Sequence, residues 1–385
     1  GFRSETTNTE NDTMSEPTQP TPMSIGIIGC GVISGQYLTN LPRMPGVEVL
    51  ACSDIDMAKA ESRATEFGVP QVLTVDELLA SPDIEIVLNL TIPKAHADVS
   101  LAIIAAGKHI YNEKPLSIEI EDAALVLQAA RQKGVAFGCA PDTFLGGGLQ
   151  TCCKLIDDGA IGQPIAATAF MLNHGHEHWH PDPAFYYQEG GGPMFDMGPY
   201  YLTALVNLMG PIKWVSGSAG AHLAERTIES EPRRGQSVRV EVPTHVAGVL
   251  DFENGAIGTI ITSFDVWASR LHRTVEIYGS EGTLAVPDPN IFGGRVEVQR
   301  GRESEWRDIP LTHPEGGRGL GVAEMAAALR DGRKSRVDAE LGHHVLEAMH
   351  AIHESSTKGR HISISRMTER PAAVEPGLPE GQFEA

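Results

Sequence analysis

Short apolar runs alternate with helix-like segments through the first third of the chain. The apolar runs begin near Ser24, Val47, Ile84, Lys108 and Val135. Buried strands that repeat with helices between them form a parallel sheet with right-handed crossovers. The pattern therefore predicts an α/β domain with a doubly wound parallel sheet over residues 23–142.

The pattern changes after Asp142, where strand-like alternation becomes dominant. The alternating stretches are Val238–Phe252, Gly258–Phe264, Thr274–Gly279 and Arg295–Gln299. Asn254-Gly255 has the composition of a hairpin turn. Antiparallel strands joined by tight turns and closed by C-terminal helices predict an α+β domain with one open, mostly antiparallel sheet over residues 143–364.

The two ends of the chain have the composition of tails. Residues 1–22 are rich in Thr, Glu, Asn and Pro and lack the apolar core of a signal peptide. We interpret them as a disordered leader or a cloning remnant. Residues 365–385, rich in Pro, Glu and Gly, are predicted to form a C-terminal tail.

Composition narrows the range of partners and compartments. The formal net charge of -20 argues against nucleic acid and anionic membranes as partners, because both attract basic proteins. No apolar stretch approaches the ~20 residues that a membrane-spanning helix needs. Five cysteines without a CxxC pair favour reduced thiols over a disulfide framework. The sequence therefore predicts a cytoplasmic protein that binds neither nucleic acid nor membrane.

A glycine-rich turn lies between the first predicted strand and its helix. In the segment 29–34, two glycines let the backbone turn tightly and approach a pyrophosphate, which the helix N-terminus attracts. Asp54 ends the second strand, where a carboxylate can bind the ribose hydroxyls and would repel the additional phosphate of NADP. NAD is therefore the predicted cofactor, in preference to NADP. The residues assigned to its site are Gly29, Gly31, Val32, Ile33 and Asp54.

Lys114 lies where a later predicted strand ends, in the segment 111–115. Pro115 forces Lys114 into an extended conformation. The ammonium group then projects from the carboxyl edge of the sheet, where open α/β sheets bind their ligands. The alternative is an ordinary solvated lysine at a strand end.

A second glycine-rich segment, 190–201, opens a predicted helix that presents Asp196 and Tyr200 on one face. A carboxylate and a phenol one turn apart suit a polyol, because the acid can accept a hydroxyl proton and the phenol can donate or relay one. Alternatively, Asp196 complements the helix dipole and Tyr200 is a packing residue. Glycines that would otherwise be costly favour the functional interpretation.

Four histidines alternate along an apparent strand, where they would share one face: His174, His176, His178 and His180. This spacing could hold a transition metal, but no cysteine or HExxH pattern accompanies it, and we predict no metal site. A polar wall of a sugar pocket, with Trp179 as a stacking surface, is the favoured alternative. The substrate-binding candidates are His176, His178, Trp179, Asp196, Tyr200 and, on a weaker signal, His272.

The chain resembles the glucose–fructose oxidoreductase / inositol dehydrogenase family (Gfo/Idh/MocA) from Met23 to about Ile364. The resemblance rests on Gly29-Cys30-Gly31, on Glu113-Lys114-Pro115 and on the glycine-rich helix that carries Asp196. It implies a Rossmann domain followed by a domain with a large open antiparallel sheet. It also implies a homodimer or homotetramer built through that sheet, and a nicotinamide cofactor between the two domains.

The resemblance also assigns roles to individual residues. Lys114 would hydrogen-bond the reacting hydroxyl, and its peptide bond to Pro115 is often cis in the family. Tyr200 departs from the inositol dehydrogenase branch, which has histidine there, and is more similar to the glucose–fructose oxidoreductase side. With the carboxylate and phenol of the glycine-rich helix, the predicted catalytic group is Lys114, Asp196 and Tyr200. The residues implied near the cofactor are Thr91, Pro93, His96, Glu113 and Lys114.

Three functions follow from these features. The favoured one is an NAD-dependent dehydrogenase that oxidises a secondary hydroxyl of a sugar, glycoside or cyclic polyol, or reduces the matching ketone. The second is an NAD-assisted redox glycoside hydrolase or lyase of the same family, which would release an aglycone without accumulating NADH. A nicotinamide-binding regulator without activity is disfavoured, because Lys114, Asp196 and Tyr200 are all present.

Overall fold

The computed structural model describes residues 21–271 and 274–383. The predicted leader, residues 1–22, lies outside the described residues except for its last two positions. The candidate substrate residue His272 also lies outside them.

The first part of the chain forms a six-stranded parallel sheet with helices between the strands. Its elements are β1 (Met23–Ile28), α1 (Val32–Asn40), β2 (Val47–Ser53), α2 (Met57–Phe67), β3 (Gln71–Val72), α3 (Val75–Ala80), β4 (Ile86–Asn89), α4 (His96–Ala105), β5 (His109–Asn112), α5 (Ile120–Lys133) and β6 (Phe137–Cys139). The strand order is β3-β2-β1-β4-β5-β6, so the chain switches direction across the sheet between β1 and β4. Open α/β sheets bind ligands at such a switch point, and the predicted Rossmann domain is confirmed.

The second part of the chain forms a nine-stranded sheet in the order β16-β15-β14-β13-β7-β12-β11-β8-β17. Its elements are α6 (Gly147–Asp157), β7 (Pro164–Leu172), α7 (Pro193–Met209), β8 (Ile212–Gly220), β9 (Glu225–Thr227), β10 (Ser237–Arg239), β11 (His245–Phe252), β12 (Ile257–Ser263), β13 (Val275–Gly279), β14 (Gly282–Val286), β15 (Val296–Arg300), β16 (Arg307–Ile309), α8 (Leu320–Asp331), α9 (Ala339–Lys358) and β17 (Ile362–Ser363). Neighbouring strands are antiparallel except β7 and β12. The predicted open, mostly antiparallel sheet is therefore confirmed.

One predicted strand of this domain is wrong in its extent. The alternation across Val238–Phe252 suggested a single strand, but β10 ends at Arg239 and β11 begins at His245. Pro243 lies between them and cannot donate a hydrogen bond to a ladder, which explains the break. β10 pairs with β9 in a separate two-stranded sheet.

The two faces of the nine-stranded sheet differ. Helices α7 and α9 contact each other and pack on one face. Trp214, Val249 and Ile257, on adjacent strands of the sheet, have exposed side chains. The homodimer or homotetramer expected through this sheet stays a prediction, which a molar mass measured in solution would test.

The C-terminal part of the chain also contacts the first sheet. Helix α8 packs against β6, and the Cys139 amide donates to the Val337 carbonyl at 2.8 Å. The predicted tail has no helix or strand over its described residues, yet Val374 and Phe383 are buried. Among the helices the structure describes, none combines the length and apolar character required to cross a membrane.

Candidate active site

The turn after β1 leaves a helix N-terminus open towards the carboxyl edge of the sheet. Gly29 has φ +104°, and a Cβ atom there would lie 2.6 Å from the Leu90 carbonyl oxygen, so glycine is required. At Gly31 a Cβ atom would meet nothing within 4 Å. No side chain caps α1, which begins at Val32. Its first backbone N–H groups are therefore suited to an anion such as a pyrophosphate.

The carboxylate of Asp54 ties the end of β2 to this turn. It accepts the Cys30 amide at 2.7 Å and the Asp56 amide at 2.9 Å. A carboxylate has about four acceptor positions, so capacity remains for ribose hydroxyls. Arg63 on α2, which sequence reasoning missed, also contacts the turn, because its guanidinium donates to the Gly31 carbonyl at 3.3 Å.

Apolar side chains are exposed at the same carboxyl edge of the sheet. Val32 is 89% exposed and Ile92 68%, while Ile55 is fully exposed. They follow β1, β4 and β2 respectively, whose carboxyl ends share one edge of the sheet. Exposed apolar side chains that are grouped together are a feature of ligand-binding surfaces. Ile33 is half-buried in the first turn of α1.

His96, expected near the cofactor, is fully buried beneath the carboxyl edge of the parallel sheet. Its Nδ1 lies 2.7 Å from the Pro115 carbonyl and its Nε2 lies 3.0 Å from the Thr91 carbonyl. Burial lowers the pKa of His96, although both carbonyls oppose the effect. His96 therefore joins the loops that follow β4 and β5. Pro93, in the loop after β4, is exposed.

Glu113 is also buried beneath the site. Its carboxylate accepts the Tyr37 hydroxyl at 2.8 Å and the Lys114 amide at 2.9 Å. It thereby fixes the end of β5 to helix α1. The Lys114–Pro115 peptide bond is cis.

Lys114 contacts Asp196, which lies in the first turn of α7. Its Nζ donates to the Asp196 carbonyl at 2.8 Å and lies 3.3 Å from the carboxylate. Burial alone would lower the pKa of Lys114, but the carboxylate of Asp196, helped by Tyr200 and Glu113, raises it above its ordinary value. Burial would raise the pKa of Asp196, whereas Lys114 and His176 lower it. The pair is therefore an ammonium and a carboxylate at neutral pH.

Tyr200 lies beside this pair through its ring. The Lys114 ammonium is 5.1 Å from the ring centroid. The Tyr200 hydroxyl instead accepts from the guanidinium of Arg318 at 3.4 Å, and Arg318 pairs with the buried Asp142 at 3.2 Å. Sequence reasoning missed both Arg318 and Asp142. The signal that could have revealed Arg318 is its position among Gly316, Gly317 and Gly319.

The predicted strand through the four histidines is wrong. β7 ends at Leu172, and the histidines lie in a turn because Gly175 adopts φ +83°. His176 turns inward, is 8% exposed, and places Nε2 3.5 Å from the Asp196 carboxylate. His178 is exposed in the same loop, so the two do not share a face.

Tyr186, absent from the sequence-based candidates, packs against His176. The two rings stack with centroids 3.6 Å apart and an interplanar angle of 8°. Burial raises the pKa of Tyr186 to about 12, and the nearby Asp196 carboxylate adds to the effect. Tyr186 therefore stays a neutral phenol beside the Lys114–Asp196 pair.

A buried arginine holds the histidine loop in place. Arg226 donates to the Glu177 carboxylate, to the His174 carbonyl at 2.9 Å and to the Phe264 carbonyl at 2.6 Å. It also pairs with Asp265 at 2.8 Å. Nothing in the local sequence around Arg226 indicates this role. Across residues 21–271 and 274–383, no group of three or more His, Cys, Asp or Glu side chains is arranged to hold a metal ion.

Comparison with known proteins places this site in a family context. The model for the oxidoreductase family with an NAD-binding Rossmann fold matches residues 23–140, and the GFO/IDH/MocA C-terminal domain model matches residues 149–285. The 1,5-anhydro-D-fructose reductase of Ensifer adhaerens is 28% identical over 266 residues, which cover 67% of this chain and 74% of that protein. The levoglucosan dehydrogenase of Pseudarthrobacter phenanthrenivorans is 24% identical over 290 residues, covering 68% and 73%.

Solved structures share the whole architecture. A levoglucosan dehydrogenase in complex with NADH superposes with a TM-score of 0.76 at 21% identity, covering 90% of this chain and 100% of that one. An NAD-binding oxidoreductase from Klebsiella pneumoniae also gives a TM-score of 0.76, at 24% identity, covering 89% and 99%. At these identities the superpositions establish the fold.

Proposed function

Because the chain belongs to the GFO/IDH/MocA family of NAD-binding oxidoreductases, we propose that it oxidises a secondary hydroxyl of a sugar, glycoside or cyclic polyol, or reduces the matching ketone. The observation that carries this proposal is the contact of Lys114 and His176 with opposite oxygens of the Asp196 carboxylate. These groups lie where the carboxyl edge of the parallel sheet meets helix α7.

The chain's own residues manage the proton in this proposal. A nicotinamide, when bound, supplies the hydride acceptor or donor. In the reducing direction, the Lys114 ammonium is already in the state needed to donate a proton to a ketone oxygen. In the oxidising direction, Lys114 must be able to lose a proton before it accepts one from the substrate hydroxyl. Asp196 contacts both Lys114 and His176, so we assign it the role of passing that proton between them.

His176 is thereby assigned to proton transfer, whereas His178 is not. An imidazole can both accept and donate a proton. We expect His176→Gln to lower kcat on the order of 10²-fold, because positioned acid–base catalysis contributes about that much. The matched variant His178→Gln should leave kcat unchanged. Equal effects of the two variants on kcat would contradict the assignment.

Cofactor preference is expected to follow from Asp54. We expect NAD to bind about 10- to 100-fold more tightly than NADP. A like-charge pair at ~4 Å costs roughly 4 kcal/mol at an effective dielectric constant of ~20, and salt screening reduces that cost. Isothermal titration calorimetry with both dinucleotides measures the preference directly.

Two neighbouring carboxylates provide the control for this prediction. Asp54→Asn should reduce the preference for NAD, whereas Asp56→Asn should retain it because Asp56 lies beyond the turn as the N-cap of α2. Binding of NADP as tight as that of NAD by the wild-type protein would contradict the role given to Asp54. In that case Arg63, which contacts the same turn, is the next residue to replace as a candidate for binding the phosphate of NADP.

A panel of sugars, glycosides and cyclic polyols tests the proposed activity. Each compound is incubated with the protein and NAD, and absorbance of the reduced nicotinamide is followed together with release of any aglycone. We expect NADH to accumulate in proportion to the oxidised product. Release of an aglycone without accumulation of NADH would instead support the redox-assisted glycosidase. Absence of both products across the panel would contradict the proposal.

A further inference from the structure

A connected group of aromatic rings extends from the Asp196 carboxylate to the protein surface. The group consists of His176, Tyr186, Phe185, Trp179 and His180, and we call it the aromatic row. Tyr186 stacks on His176, and the Phe185 ring follows with its centroid 4.0 Å from that of Tyr186. Trp179 lies 5.5 Å from His176, and His180 lies between Trp179 and Phe185 at 5.2 and 5.4 Å.

Exposure increases along the aromatic row. His176 is buried at the inner end, whereas Trp179 is 55% and Phe185 53% exposed at the outer end. By contrast, Phe264 and Tyr187, whose hydroxyl donates to Glu177, are fully buried. Single exposed apolar residues are common, but exposed rings that adjoin one another and a reactive site mark a ligand-binding surface.

The loop that carries the aromatic row is held by the protein itself. Arg226 binds the loop through Glu177 and the His174 carbonyl. The Ser230 hydroxyl donates to the His180 carbonyl, and the Gly192 amide donates to the Tyr186 carbonyl at 2.7 Å. The exposed rings are therefore positioned before any ligand arrives, which reduces the entropic cost of binding.

We propose that the outer part of the aromatic row, Trp179 and Phe185, binds a second pyranose ring, so that the substrate is a disaccharide or a longer saccharide. This inference rests on the proposed function, because it takes the oxidised ring to lie at Lys114 and Asp196. The Tyr186 ring separates Phe185 from His176, so we expect a monosaccharide at Lys114 to leave Phe185 uncovered. A linked second ring would cover Phe185 and Trp179 with its C–H groups, whose weakly positive hydrogens complement the negative faces of aromatic rings.

Polar residues next to the outer rings in the chain favour a saccharide over an aromatic aglycone. His178 is exposed and precedes Trp179, and Asp182, which pairs with Arg233, follows His180 by two residues. Imidazole, carboxylate and guanidinium groups together can donate to and accept from several sugar hydroxyls.

The test compares each disaccharide with the methyl glycoside of its oxidised sugar, which keeps the glycosidic oxygen but lacks the second ring. Affinities for the protein saturated with NADH are measured by calorimetry, and kcat/KM is measured with NAD. We expect the preferred disaccharide to exceed its methyl glycoside by about tenfold in both quantities, as expected for contact with two aromatic rings.

Variants locate this preference on the aromatic row. Trp179→Ala and Phe185→Ala should each remove most of the preference, because they lower affinity for the disaccharide more than affinity for the methyl glycoside, and Trp179→Phe should retain part of it. Trp306→Ala, which removes a partly exposed tryptophan just before the edge strand β16, is the matched control and should change neither quantity.

The outcomes separate this inference from the proposed activity. Equal affinity for disaccharides and methyl glycosides, or a preference that survives both alanine variants, would overturn the second-ring subsite. Preference for an aryl glycoside over every disaccharide would also overturn it. Tight disaccharide binding that depends on Trp179, with no reduction of NAD, would support the subsite and contradict the proposed oxidation.

Discussion

Replacement of Lys114 by methionine is expected to lower kcat by about 10²–10⁴-fold, the range of positioned acid–base catalysis, while affinity for NAD stays nearly intact. Methionine has a similar length but cannot hydrogen-bond the reacting oxygen or transfer a proton. Asp196→Asn should lower kcat by a comparable factor, because an amide cannot hold a proton between Lys114 and His176. Steady-state kinetics with the sugar selected from the panel, together with NAD calorimetry, measures both effects.

Two further variants provide comparisons for the loss of kcat in Lys114→Met. Lys133→Met removes an exposed lysine at the end of α5 and should leave kcat unchanged. Tyr200→Phe should cost less than Lys114→Met, because the Tyr200 hydroxyl bonds Arg318. A folded Lys114→Met protein with nearly normal kcat would make Lys114 an ordinary strand-end lysine.

Replacement of Arg226 by leucine is expected to lower the free energy of unfolding by about 3–5 kcal/mol. Arg226 is almost completely buried, and its guanidinium binds the carboxylates of Glu177 and Asp265. Leucine would leave these carboxylates without their cationic partner. The His174 and Phe264 carbonyls would also lose a donor. Urea-induced unfolding monitored by tryptophan fluorescence and circular dichroism gives the change.

A surface arginine offers the matched control for this variant. Arg234 pairs with Glu231, and both side chains are largely exposed, so Arg234→Leu should change the free energy of unfolding by less than about 1 kcal/mol. Similar destabilisation by the two variants would contradict the role assigned to Arg226. The intact loop also positions His176, so Arg226→Leu should lower kcat as well.

Local sequence signals predicted the backbone at the carboxyl edge of the first sheet. The tight turn at Gly29 and the acid after the next strand, Asp54, are set by residues close in sequence, whereas their contacts with a cofactor stay a prediction. The Lys114–Asp196 contact joins elements 82 residues apart, and it was expected from the family resemblance, not from spacing.

The remainder of the site depends on contacts that no local pattern encodes. Alternating histidines favoured a strand, but Gly175 turns the chain and sends His176 inward while His178 stays exposed. Tyr200 was correctly placed on one helix with Asp196, yet its hydroxyl meets Arg318, 118 residues away. Arg226 lies in a three-residue strand with no distinguishing neighbours. Each contact arises from tertiary packing, so spacing along the chain could not reveal it.

The most direct test of hydride removal from a sugar carbinol carbon follows one deuterium atom. The sugar selected from the panel is prepared with deuterium on the carbon that is oxidised, and the nicotinamide product is analysed by mass spectrometry. We predict one deuterium in the reduced nicotinamide for each ketone formed, and no such transfer with Lys114→Met on the same timescale. Product formation by the wild-type protein with no deuterium in the nicotinamide would contradict hydride transfer.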